Sequence, residues 1–185
     1  ILNGVSALLP DLEAFLNKVV RSVAQQLPED AVELRKDVRN FTWQEVLVTF
    51  IDNHDMARMA ASEEGFIDAN NWLFTARGIP VVYYGSEIAF MAGTREHEGN
   101  RNYFGPENVA RARGHGIRRA LAGIAGIRQK SPALQRGLQI NLDLKGDRAA
   151  FLRVYERGET AETALVLLNK GDSPARFAVD RWLSA

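Results

Sequence analysis

Cysteine is absent from this 185-residue chain, which excludes disulfides, thiolate metal sites and a cysteine nucleophile. Net charge is absent as well, because 23 Lys and Arg are balanced by 23 Asp and Glu. A chain without a basic stripe offers no footprint for nucleic acid, and none for an anionic membrane. No apolar run approaches the roughly 18 residues of a membrane span. The opening Ile1-Leu2-Asn3-Gly4-Val5-Ser6 has no basic region followed by an apolar stretch, so it does not read as a signal peptide. Position 1 is not Met, and the expectation is a chain whose natural start lies upstream. What the chain does have is apolar substance, 46% of its residues. That suffices for one domain, or for one domain with a small appendage.

The pattern of that apolar content changes along the chain. Leu12, Phe15, Leu16, Val19, Val20, Val23 and Leu27 recur at helical spacing and predict a helix over 10–27, closed by Pro28. Residues 29–38 read as a shorter polar helix. Val46-Leu47-Val48-Thr49-Phe50 is short, β-rich and almost wholly apolar, the pattern of a strand buried on both faces of a parallel sheet. A helix is expected over 66–77, then a second buried strand over Ile79–Tyr84 with its Pro near the start. Residues 85–114 show no periodicity and read as a long functional loop. Residues 115–129 read as a helix with Ile117, Leu121, Ile124 and Ile127 on one face. Strand, helix, strand and helix in turn are the grammar of an α/β fold.

Past Pro132 the grammar becomes that of hairpins. Strands are expected over 138–144, 149–155, 164–169 and 175–179. Turns at Lys145-Gly146-Asp147, Arg157-Gly158-Glu159 and Lys170-Gly171-Asp172 join them. This predicts an antiparallel β domain with a boundary near 131–137.

The chemistry concentrates in Asp52, Asn53, His54 and Asp55, immediately after the first strand. The C-terminal ends of parallel strands carry the active site in α/β barrels, so a polar cluster there has a physical reason to be functional. Imidazole and carboxylate can together form a fork of hydrogen bonds to vicinal sugar hydroxyls. A carboxylate can also favour a developing positive charge. Two other readings stay open on the residues alone. His54 with Asp52 or Asp55 could ligate a metal with His97 and Glu98, although the spacing matches no standard motif. Asp52 or Asn53 could simply cap a helix. Tyr83, Tyr84 and Trp72 read as core, and His97 and His115 as solvated loop or cap positions.

Phe50-Ile51-Asp52-Asn53-His54-Asp55 resembles the fourth conserved block of the α-amylase superfamily, glycoside hydrolase family 13. Ala76-Arg77-Gly78-Ile79-Pro80-Val81-Val82-Tyr83-Tyr84-Gly85-Ser86-Glu87 resembles the last barrel strand of that family. Gly93-Thr94 and Asn100-Arg101 are similar to the loop of cyclodextrin glucanotransferases and cyclomaltodextrinases, with an unusual insert at Arg95-Glu96-His97-Glu98-Gly99. The resemblance implies the C-terminal part of a (β/α)8 barrel, strands seven and eight with their helices, over 1–132. The start of a C-terminal β-sandwich would follow over 133–185.

It also implies roles. Asp55 matches the transition-state-stabilising aspartate and His54 the histidine at the cleavage subsite, with Asn53 beside them as a substrate contact. Arg101 matches an arginine that holds more distant glucose units. The implied substrate is an α-glucan oligosaccharide, cleaved or transferred with retention. The implied nucleophile and acid/base belong to barrel strands four and five, upstream of residue 1, and Glu29, Glu63 and Glu87 fall at the wrong places to replace them. The chain alone is therefore expected to be inactive, to need the N-terminal part of the barrel as partner, and to self-associate through its open edge. A non-catalytic amylase-like module that binds sugar or protein is the competing expectation. No cofactor is expected in this segment, and calcium belongs to the full-length enzyme. The parent enzyme is expected to be secreted or periplasmic, with the cytoplasm as the alternative.

Overall fold

The computed structural model describes residues 47–178. The helices expected over 10–27 and 29–38 lie outside the described residues, as do Val46 and Val179. Two short strands, β1 (Val48–Thr49) and β2 (Ile79–Pro80), pair in parallel with Val48 opposite Ile79 and Thr49 opposite Pro80. Helix α1 (Glu63–Thr75) crosses between them, the connection that parallel neighbours require. The expected strand over 79–84 ends early. Only the Val81 amide, donating to the Thr49 carbonyl at 2.8 Å, extends the pairing.

The expectation of burial on both faces is corrected. Val48, Phe50, Ile79 and Val81 are all exposed, because within the described residues β1 and β2 have only each other as strand neighbours.

Helix α1 starts three residues before the expected position. Ser62 caps it, its Oγ accepting from the Gly65 amide at 3.2 Å, and Glu63 and Glu64 complement the positive helix end. Phe66, Asn70 and Leu73 make its buried face. The segment expected as one long loop contains structure of its own: a single 3₁₀ turn (Ser86–Ile88) and helix α2 (Gly105–Ala112). Helix α3 (Gly116–Lys130) is capped by His115, whose Nδ1 accepts from the Ile117 amide at 3.3 Å. Its apolar face differs from the expected one, since Ile127 is exposed and Arg128 is buried. A short unexpected helix, α4 (Pro132–Arg136), follows, and the expected boundary residue Pro132 is its first position.

The hairpins form one antiparallel sheet of β3 (Leu138–Lys145), β4 (Arg148–Arg157) and β5 (Thr160–Asn169), in that order. Residues 174–178 are not a strand, which corrects the expectation for 175–178. The inner face of the sheet presents Phe151 and Val166, which pack with Ala76 and Leu134 as a core cluster. Trp72 meets Phe151 edge-on at 5.7 Å between ring centroids, a favourable aromatic geometry.

Two buried arginines join sheet and helices. Arg153, 1% exposed on β4, donates to the carbonyls of Thr75 (2.7 Å) and Gly137 (2.9 and 3.2 Å). Arg128 donates to Phe74 (2.9 Å), Ala76 (3.3 Å), Gly78 (2.6 Å) and Gln135 (3.4 Å). The last turn of α1 has no basic residue of its own. These two guanidinium groups supply donors and positive charge to the carbonyls that a helix end leaves unpaired.

Candidate functional site

Segment 52–55 leaves the end of β1, and its two carboxylates go to different places. Asp52 is 2% exposed. Its Oδ1 accepts from Ser86 Oγ at 2.7 Å and its Oδ2 from the Met59 amide at 3.4 Å. It therefore ties the end of β1 to the turn that follows β2. Asn53 Oδ1 accepts from the Asp55 amide at 2.7 Å, a local turn that holds the backbone of 53–55.

Asp55 lies on the surface with two partners. Its Oδ2 is 3.1 Å from His54 Nε2, and its Oδ1 is 2.8 Å from Arg101 Nη2. Arg101 Nε also donates to the His54 carbonyl at 3.0 Å. The structure thus brings His54, Asp55 and Arg101 together, with Asn53 at the base of the turn. All three side chains are 57–64% exposed, where an ion pair adds at most about 1 kcal/mol to stability. Such contacts cannot order the group by themselves.

The order comes from beneath. Asn100, fully buried, donates from Nδ2 to the His54 carbonyl and accepts the His97 amide on Oδ1 at 2.9 Å. Tyr83 donates its hydroxyl to the Asn100 carbonyl at 2.8 Å, and Tyr84 donates to the Asn102 carbonyl at 2.7 Å. Burial, then the hydrogen bond with Tyr84, raises the Tyr83 pKa above the usual phenol value, so the phenol keeps its donor proton. The two rings meet edge-on at 4.6 Å. Both tyrosines are half-buried supports of the 100–102 loop.

Arg58, 3% exposed, completes this layer and escaped the sequence reading. The signal was present: one cation in the otherwise uncharged run Met56-Ala57-Arg58-Met59-Ala60-Ala61. His97 pairs with Glu96 at 3.1 Å on the exposed insert. Among the described residues no three His, Asp or Glu side chains gather in a metal-binding group.

A carboxylate, an imidazole and a guanidinium on one exposed rim offer both acceptors and donors to the vicinal hydroxyls of a sugar. A carboxylate so placed can also favour positive charge that develops beside it.

No protein-family model matches the chain. It is 31% identical over 134 residues to a cyclomaltodextrin glucanotransferase of Paenibacillus macerans, covering 70% of this chain and 17% of that enzyme. Among solved structures, an Anoxybacillus α-amylase is 27% identical with a TM-score of 0.55, covering 73% of this chain and 30% of that one. The Arthrobacter globiformis cyclic α-maltosyl-(1→6)-maltose hydrolase, in complex with that cyclic sugar, has a TM-score of 0.58 at 20% identity, covering 84% of this chain and 36% of that one. This last likeness concerns the fold alone. On sequence and fold together, the chain belongs to the α-amylase superfamily, glycoside hydrolase family 13, and it spans 17% of the length of the Paenibacillus macerans enzyme.

Proposed function

We propose that this chain is the part of a retaining α-1,4-glucan hydrolase or glucanotransferase that binds the sugar and stabilises charge in the transition state. One observation carries the reading: Asp55, His54 and Arg101 converge on an exposed rim directly after a parallel strand. Asp55 faces the developing oxocarbenium-like charge, and His54 and Asn53 contact hydroxyls of the same sugar. Arg101 orients Asp55 and reaches glucose units farther from the cleaved bond. A retaining mechanism needs a carboxylate nucleophile and an acid/base roughly 5–5.5 Å apart. Asp52 cannot serve as either, since it is buried and held by Ser86. Both groups are assigned to barrel strands outside this chain. Substrates are starch-derived maltooligosaccharides or cyclodextrins. Any calcium site, and a secreted or periplasmic location, are properties of the whole enzyme.

The test is an assay on maltooligosaccharides and cyclodextrins. The chain is tried alone, then mixed with a complementary polypeptide carrying a family 13 nucleophile and acid/base. Activity only in the mixture is expected, lost on Asp55→Asn. Turnover by the chain alone refutes the division of roles. Sugar binding with no turnover in the mixture points instead to a non-catalytic binding module.

A further inference from the structure

The exposed group His54–Asp55–Arg101 rests on a buried cation that belongs to none of its assigned roles. We propose that Arg58 is a positioning residue that sets the Arg101 guanidinium and the His54 carbonyl from below. The significance of this for sugar recognition rests on the function proposed above.

The connections are continuous. Arg58 Nη1 donates to the Tyr84 carbonyl at 2.7 Å, and Nε reaches the Gly99 carbonyl at 3.5 Å. Its guanidinium lies 4.6 Å from the Tyr83 ring centroid, 4.8 Å from that of Tyr84 and 5.6 Å from that of Phe90. Cation–π contacts of this kind draw the guanidinium toward the ring faces. They are strongest where the cation is shielded from water, as here. The same two tyrosines then hold the Asn100 and Asn102 carbonyls, on either side of Arg101. Asn100 and Arg101 both donate to the His54 carbonyl. The backbone of Arg58 is fixed as well, its amide donating to the Thr94 carbonyl at 3.1 Å, while Gly93 donates to Met59 at 3.2 Å.

Nη2 of Arg58 is buried without a hydrogen-bond partner among the described residues. That unpaired nitrogen is a cost of burying the cation, one that an apolar side chain of similar size would not carry. A planar fork that spans two carbonyls while stacking on aromatic faces is a task that suits arginine and not lysine. Arg58 thus joins the end of β1, the segment after β2 and the 99–102 loop into one support.

The test uses the full chain with labelled arginine. NMR follows the Arg101 Nε–Hε signal, and titration gives the dissociation constant for maltoheptaose. In Arg58→Lys, shown folded by circular dichroism, the Arg101 signal is expected to shift to that of a free arginine side chain. Maltoheptaose binding is expected to weaken about tenfold. Leu73→Ala, which opens the core under α1, is expected to lower stability and leave the Arg101 signal in place. An unmoved Arg101 signal in folded Arg58→Lys overturns the proposal. Should that variant unfold, Tyr83→Phe decides in its stead. It keeps the ring against Arg58 and removes the hydroxyl with its bonds to Asn100 and Tyr84, and an unmoved Arg101 signal there counts equally against Arg58. Wild-type chain that does not bind maltoheptaose would defeat the sugar reading, while the Arg101 signal would still decide the positioning.

Discussion

Replacing Arg128 with Met removes the clamp on the end of α1 and keeps most of the side-chain volume. Two of the donated bonds are short, to Phe74 at 2.9 Å and Gly78 at 2.6 Å, and two are long, to Ala76 at 3.3 Å and Gln135 at 3.4 Å. Hydrogen bonds to charged groups contribute about 1.5–3 kcal/mol each, so the two short ones set a scale of about 3–6 kcal/mol. Burial already disfavours the charged guanidinium and lowers its pKa. Removing that cost returns part of the loss. Because only the donor is removed, the carbonyls stay behind unpaired, which is the costly half of such a deletion. The expected net loss is about 3 kcal/mol, or roughly 6–12 °C in melting temperature for a chain of this size. Calorimetry and urea unfolding would measure it. Arg128→Lys keeps the charge but reaches fewer carbonyls, and is expected to recover less than half of the loss. A loss below about 1 kcal/mol for Arg128→Met would refute the reasoning. It would mean that water satisfies these carbonyls as well as the guanidinium does.

Asn70 is 1% exposed, and neither its Oδ1 nor its Nδ2 has a hydrogen-bond partner among the described residues. Asn70→Leu is expected to stabilise the chain by about 1 kcal/mol, read as a higher urea midpoint. Gly137 has an ordinary extended backbone, φ −67 and ψ 149, yet a Cβ there would lie 2.5 Å from the Ala133 carbonyl oxygen and 2.9 Å from the Val154 backbone. Gly137→Ala is therefore expected to cost about 2 kcal/mol through overpacking alone, seen as a lowered melting temperature. The Tyr83 pKa is raised in the folded chain. Its contribution is then fully present below the unfolded phenol value near 10 and is lost as pH rises through the folded value. Absorbance titration at alkaline pH should show this late phenol. Tyr83→Phe should remove its share of the alkaline loss of stability.

The parts of the fold that sequence made legible are those with a strong local period. α1, α3 and the three hairpin strands appear within a few residues of the expected places. α2 was hidden because only Ala112 of its eight residues is buried, which leaves no apolar stripe to detect. Its Gly105-Pro106 start reads as a turn, although Pro in the first helical turn is a common beginning. The face of α3 was misassigned at adjacent residues. Ile127 points out, and Arg128 is drawn in by carbonyls some fifty positions upstream, a pull that no local window contains. Strand length failed for a related reason. A strand extends as far as its neighbours do, and those of β1 and β2 are not specified by their own residues.

The same division explains the site. His54, Asp55 and Arg101 stood out through their resemblance to family motifs, and the structure brings their three side chains together on the surface. Asp52 and Asp55 are the same residue three positions apart, and local sequence gives no reason to separate them. Ser86, 34 positions away, takes Asp52 into the interior, while Arg101, 46 positions away, holds Asp55 at the rim. An exposed trio of polar side chains cannot hold itself in place against side-chain entropy and salt. Its geometry has to be stored in contacts that water does not reach. Here those contacts are centred on buried Asn100 and on the Arg58 guanidinium against both tyrosine rings, with the part-buried Tyr83 hydroxyl linking the two. A substitution in that buried layer should therefore disturb the rim more than an equally destabilising substitution in the core beside Phe151.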